Sequence, residues 1–264
     1  MKRLMTILLV LCFIFPVYAM AEQPEWTYPL APEILNNVQG FLTLANRENL
    51  LDENYEPQDL VKVSIRHVVD DPIREDAYEA LVKMFADAEE AGYKLYVKSG
   101  YRSYQTQHTM YFNRLEKNKG KDDGWVSYPG ASDHQTGLGV DVLNYEWTKK
   151  DGMNEKYAYE AEAKWMAEHC WEYGFVIRYM EDKEEITGIN YEPWHLRYVG
   201  LEAAAYMREK NYCLEEFTQE WQQYLADYEA EGGNFQQLLK DRARLVPTVI
   251  GYSEDGEEEI SIFH

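Results

Sequence analysis

Ser132-Asp-His-Gln-Thr-Gly-Leu-Gly-Val-Asp-Val-Leu-Asn144 joins a polar, glycine-broken turn to a short apolar run. From Gly139 to Asn144 the run reads as a strand, with aliphatic residues on either side of one aspartate. Side chains alternate across a strand, so Val140 and Val142 share a face and Asp141 takes the other. A carboxylate among such neighbours is costly to bury unpaired. A bound metal, a turn cap or a paired cation would each relieve that cost. His134 sits in the turn that enters the strand.

A second stretch, Glu192-Pro-Trp-His195, places a carboxylate three positions before another imidazole. Pro193 excludes an ordinary helix interior, so this is not the helical His-Glu-x-x-His arrangement. An extended segment would instead bring Glu192 and His195 to a common site. Two imidazoles and a carboxylate suit catalytic zinc: His134, Asp141 and His195 would bind it at about 2.0–2.2 Å and leave one tetrahedral position open. Glu192 would then be free to take a proton from water. Each residue alone is more often structural; the combination points to a metal site.

Working outward, Asp71-Pro72 resembles an N-cap followed by proline at the first helical position. Ile73, Ala77, Leu81, Met84, Phe85 and Ala88 follow at helical spacing up to Gly92. Tyr93 to Lys98 predicts a strand. Ser103 predicts the cap of a second helix with Tyr104, Gln107, Tyr111 and Leu115 on one side. Residues 119–131 are a polar, glycine-rich loop suited to bordering a cleft. Trp165, Met166, His169, Cys170 and Tyr173 form a helical face that Gly174 can end. Phe175 to Tyr179 and Trp194 to Val199 read as strands, and Leu201 to Lys210 and Leu214 to Glu229 as helices. Gly232-Gly233 breaks the pattern, and the tail suits a hairpin around Glu254-Asp255-Gly256. There is no internal repeat. The order of elements predicts a single α+β domain, with helices flanking an antiparallel sheet around a zinc cleft.

Residues 1–21 stand apart. Lys2 and Arg3 precede an apolar run from Leu4 to Val17, and Ala19-Met20-Ala21 fits a small-x-small cleavage site. This is the pattern of a secretory signal peptide, with an uncleaved anchor as the alternative. The expected organisation is signal peptide 1–21, lead-in segment 22–70, core 71–217 and C-terminal extension 218–264, with no stable membrane insertion after cleavage. Cys170 and Cys213 remain in the exported chain, where a disulfide and two buried thiols are both open.

The net charge is −21, about −23 without the signal segment. This excludes a nucleic-acid binder and disfavours adhesion to anionic surfaces. Any anionic substrate group needs a locally placed cation. Among the other histidines, His67 reads as structural, His108 as a neighbour of the site at most, His169 as core and His264 as terminal. Trp194 is the aromatic residue best placed to border the cleft.

Ser99-Gly-Tyr-Arg102-Ser, the block from Ser132 to Asp141, and Glu192-Pro-Trp-His-Leu-Arg-Tyr-Val-Gly200 together resemble the signature blocks of VanY-like D-alanyl-D-alanine carboxypeptidases. These belong to the zinc peptidoglycan peptidases related to lysostaphin and the hedgehog domain. Leu44-Ala-Asn-Arg-Glu-Asn-Leu-Leu and Tyr55-Glu-Pro extend the likeness, which spans roughly residues 40–217. The resemblance implies that His134, Asp141 and His195 hold zinc and that Glu192 is the catalytic base. It implies that Arg102 holds the substrate's terminal carboxylate, and that Gln107 and Ser132 contact substrate. The implied partner is a peptidoglycan stem peptide, and the implied location is secreted or cell-envelope. Gly139 and Met180 depart from the common pattern, which often has alanine and proline there. Expected alternatives are an L,D-carboxypeptidase acting on tetrapeptide stems, an endopeptidase, and a non-catalytic wall-peptide-binding protein.

Overall fold

The computed structural model describes residues 23–245, 249–252 and 258–260. The signal-like segment, the tip of the tail hairpin at Glu254-Asp255-Gly256 and His264 lie outside the described residues.

The lead-in segment is mostly loop, with one helical turn, α1 (Pro32–Leu35), and a short strand, β1 (Leu60–Val61). β1 pairs antiparallel with β2 (Ile73–Arg74). That pairing corrects the expected helix start. Ile73 and Arg74 are held extended, so α2 runs only from Glu75 to Glu90, with Arg74 rather than Asp71 at its N-cap. Asp71 and Pro72 instead brace the next turn: the Asp71 carboxylate accepts from Gly100 N (3.3 Å), and the Pro72 carbonyl accepts from Tyr101 N (2.7 Å).

The principal sheet has β3 (Leu95–Ser99), β4 (Gly139–Asn144), β5 (Phe175–Ile177) and β6 (His195–Tyr198), in the order β3-β4-β6-β5, every pair antiparallel. α3 (Tyr104–Lys117) follows β3, and its cap is the expected one: the Ser103 side chain accepts from Thr106 N. α4 (Tyr145–Thr148) and α5 (Ala161–His169) follow β4. α6 (Glu184–Thr187) is a single turn before β6. Leu81, Met84 and Phe85 of α2, Val140 and Val142 of β4, and Met166 of α5 share one core cluster. Burying such side chains stabilises the fold by about 1.5–3 kcal/mol each.

α7 (Leu201–Lys210), α8 (Leu214–Ala230) and α9 (Phe235–Leu245) pack with Tyr28, Leu35 and Leu42 of the lead-in segment in a second cluster. β7 (Val249–Tyr252) and β8 (Glu258–Ile260) pair antiparallel, as the tail pattern predicts. α9 went unread in the sequence, although Phe235, Leu238 and Leu239 carry its apolar spacing. His169 is a second correction. It stacks on Trp165, but its side chain is 38% exposed and pairs with Glu172, so it lies at the edge of the core.

Cys170 and Cys213 are free and buried. They lie in different settings: Cys170 belongs to the sheet-side cluster, and Cys213 caps α8. Burial pushes both thiols up to about 12, which leaves very little reactive thiolate at neutral pH. The native protein should therefore resist alkylation at both positions, and the unfolded protein should take one label at each. Peptide mapping checks this; a Cys170–Cys213 disulfide peptide would contradict it.

Candidate active site

The β4–β6 register sets Asp141 opposite His195. Val140, Val142 and Leu196 turn to the core, which leaves Asp141 and His195 on the other face. His134 arrives on a short 3-10 turn, residues 133–136, held by Thr136 Oγ1 donating to Asp133 O (2.6 Å) and Gln135 Nε2 donating to Asp52 O (2.9 Å). Gly137 ends the turn at φ 68°, a left-handed conformation that glycine adopts without penalty. Gly139 permits a close approach: a Cβ there would lie 2.9 Å from the Asp133 backbone carbon. Alanine at this position would therefore push on the turn that carries His134.

His134, Asp141 and His195 are all buried, with donor atoms within 4.8 Å of one another. His134 Nε2 lies 3.4 Å from Asp141 Oδ2, and His195 Nδ1 lies 3.1 Å from Asp141 Oδ1. Ligands on one tetrahedral zinc at about 2.0–2.2 Å are spaced by roughly 3.3–3.6 Å. Asp141 Oδ1 is buried without a hydrogen-bond partner among the described residues. The donor set and its spacing thus fit a zinc ion.

The protonation states agree. His134 Nδ1 lies 2.6 Å from Gly100 O. A carbonyl only accepts, so Nδ1 carries the proton and Nε2 keeps its lone pair for a metal. Burial, then the nearby Arg102 charge, hold His134 below its ordinary value and keep the ring neutral. Burial alone would raise the Asp141 carboxyl; positive charge on the imidazoles outweighs it and holds it well below the usual range, a part that a bound cation would take over when the rings are neutral.

Glu192 lies beside the three donors, with Oε2 3.6 Å from His195 Nδ1. Burial, then Asp141, raise its carboxyl well above the ordinary range, while Arg102 opposes the shift. A bound divalent cation would also oppose it. Such a group is suited to accepting a proton near neutral pH. Its backbone is pinned by Glu192 N donating to Tyr179 O and His195 N donating to Glu192 O, both at 3.0 Å.

Arg102 sits on the same cleft. Its backbone N donates to His134 O (3.1 Å). Nη1 donates to Gln107 Oε1 (2.7 Å) and Nη2 to Ser99 Oγ (3.2 Å). Both partners are neutral, so Arg102 has no carboxylate among the described residues. Gln107 is 1% exposed and is fixed by donating from Nε2 to Ser127 O (2.7 Å), so it is buried between Arg102 and the 119–131 loop. Ser132 is buried, lines the cleft and makes no side-chain cap to the turn that follows it.

The cleft has a volume of about 490 Å³. Trp125, Val126 and Ser127 of the 119–131 loop line it, as that loop's composition predicts, and Trp194 stacks on Trp125. Met153 and Asn154 also line it, and nothing in their local sequence marks them. His108 stacks on Phe112 and is not among the lining residues.

Sequence reasoning also missed a buried ion cluster behind His195. Asp133 lies between Arg178 and Arg197, and Arg178 forks onto Glu215 at 2.7 and 2.6 Å. Burial alone would raise the Asp133 carboxyl, but the two guanidiniums hold it below its ordinary value. The four residues are scattered along the chain, so no local pattern could expose them.

A profile of the family described as D-alanyl-D-alanine carboxypeptidase, VanY, matches residues 70–201. YodJ of Bacillus subtilis is 39% identical over 193 residues, covering 70% of this chain and 69% of its own. The structure of the LdcB LD-carboxypeptidase aligns with a TM-score of 0.62 at 39% identity, covering 68% of this chain and 86% of that one. A mutant of the vancomycin-resistance D,D-pentapeptidase VanY, in complex with Zn(II), aligns with a TM-score of 0.56 at 32% identity, covering 67% and 98%.

Proposed function

Because the chain belongs to the VanY family of D-alanyl-D-alanine carboxypeptidases, we propose that it is a zinc carboxypeptidase that removes the terminal D-alanine of peptidoglycan stem peptides. The observation that carries this reading is the shared cleft. The His134, Asp141 and His195 donor set, the raised Glu192 carboxyl and an arginine with only neutral partners all face one space.

His134, Asp141 and His195 would hold the ion, whose chemistry there would be polarisation of the scissile carbonyl and a lowered pKa for bound water. Glu192 takes the proton of the attacking water and passes it to the leaving amine. Arg102 binds the terminal carboxylate with its fork, Gln107 fixes that fork, and Ser132 offers a hydroxyl to the peptide. The reading makes the protein an exopeptidase and gives the carboxylate its cation in a chain of net charge −21. It also gives the signal-like segment 1–21 a purpose, since the substrate lies in the cell envelope. No helix among the described residues is long and apolar enough to cross a membrane.

A double cycle tests the carboxylate contact. A charge-assisted hydrogen bond is worth about 1.5–3 kcal/mol. Arg102→Ala should therefore lower kcat/KM on a D-Ala-D-Ala peptide at least about tenfold. Amidating the peptide's C-terminus should cost wild type a similar factor and the variant much less. Arg102→Lys should recover little, because an ammonium cannot reproduce the fork. Equal amidation penalties in both proteins would remove Arg102 from this role and favour an endopeptidase.

The likeness to the LdcB structure favours a second reading, removal of D-alanine from tetrapeptide stems with the same groups. Mass spectrometry of products from defined tri-, tetra- and pentapeptide stems separates the two: D,D activity shortens the pentapeptide, and L,D activity shortens the tetrapeptide.

A further inference from the structure

We propose that Asp133 positions His195 for the metal, and that Glu215, on α8, holds Asp133 in place through Arg178. The inference rests on the reading of His195 as a zinc ligand.

His195 turns Nδ1 towards Asp141 and Glu192, at 3.1 and 3.6 Å. A neutral ring that gives its Nδ1 lone pair to a metal carries its proton on Nε2. That Nε2 is buried and has no hydrogen-bond partner among the described residues. It faces Asp133 Oδ2 at 3.9 Å. On its other side Asp133 Oδ2 is ion-paired with Arg178 Nε at 2.7 Å. An unpaired imidazole nitrogen and an ion-paired carboxylate oxygen, both buried, thus face each other behind a candidate ligand. A carboxylate behind a ligating imidazole fixes its tautomer and orientation.

Asp133 cannot hold that place alone, since a wholly buried carboxylate needs compensating charge. Its other oxygen is held by Arg197, whose Nη2 is pinned by Phe41 O (2.9 Å) and Thr43 O (2.7 Å). On the near side Arg178 is shared between Asp133 and the Glu215 fork. With Glu215 neutralised, the whole Arg178 charge would act on Asp133 and draw it away from His195. Glu215 lies in the first turn of α8, outside the stretch that the family profile matches, and α8 is seated there by Leu214 and Phe217, both buried. The docking of a C-terminal helix is thereby coupled to the hold on a metal ligand.

The test reads zinc release from the full-length folded protein into excess chelator, well below the unfolding temperature, together with the visible spectrum of the cobalt-substituted protein. Loss of such an outer partner weakens metal binding about 10–100-fold. Asp133→Asn should therefore release zinc about tenfold faster or more, with an altered cobalt spectrum. Glu215→Gln, which disturbs the core less, should move both readouts in the same direction, by about threefold or more in rate. Glu216→Gln is the control: Glu216 lies on the same helix turn but pairs with Lys183 and caps Cys213 N. It should cost thermal stability without speeding release. If wild type takes up no zinc, or if His195→Ala keeps it, the reading of the site fails. If those two behave as expected, the positioning role is overturned by wild-type release rates in Asp133→Asn, or in Glu215→Gln should Asp133→Asn not fold. Equal acceleration by Glu216→Gln would overturn it too.

Discussion

Glu192→Gln should lower kcat by about 10²–10⁴-fold, the usual worth of a positioned general base, while the protein keeps one zinc per chain. The amide fills the same space but cannot accept the water's proton. The metal donors are untouched, because Glu192 stands beside the three-atom set rather than in it. Metal analysis alongside a D-Ala-D-Ala peptide assay reads both quantities from one preparation. A zinc-free variant would mean that Glu192 is a ligand; an active one would mean that the proton goes elsewhere. The same measurement decides against a non-catalytic wall-peptide binder, which would lose nothing when Glu192 is changed.

The second large effect is the converse. Replacing His134, Asp141 or His195 by alanine should remove metal and turnover together. The loss of affinity should exceed the roughly 10–100-fold that follows from losing an outer hydrogen-bond partner. A readout independent of activity is available. At zinc concentrations about a hundredfold above Kd, wild type should gain about 2.7 kcal/mol of stability by mass action. The three variants should gain almost none, so their melting temperatures should not respond to added zinc. A variant that still melts later in zinc would mean that the ion binds elsewhere.

The parts of this protein that were legible in the sequence are those in which composition and local period agree. Gly139–Asn144 is a strand with the predicted bounds, and Leu201–Lys210 is a helix with the predicted bounds. His134, Asp141 and His195 meet as their two motifs implied. What escaped depends on distant partners. The Asp71-Pro72 cap signal was sound locally, but β1 captured Ile73 and Arg74 and delayed the helix. His169 follows the apolar face of α5, yet a carboxylate at Glu172 draws it to the surface. Gln107, which the resemblance has contacting substrate, has its amide committed to Arg102 and to Ser127 O, partners that its own helix does not reveal. Asp133 carries no signal of its own within the leading motif, because its setting comes from Arg178, Arg197 and Glu215, none of them nearby in sequence.

Asp141 and His195 face each other as a cross-strand pair between β4 and β6. A slip of one residue in that ladder would turn one of the two side chains into the core. The donor set would then be broken up, so a misaligned β4–β6 pair could not keep an ion. The unfolded chain offers no preformed pocket either, because the two strands that make it are far apart in sequence. Retained zinc would therefore report on assembly: only a molecule that has paired these two strands in register would hold it.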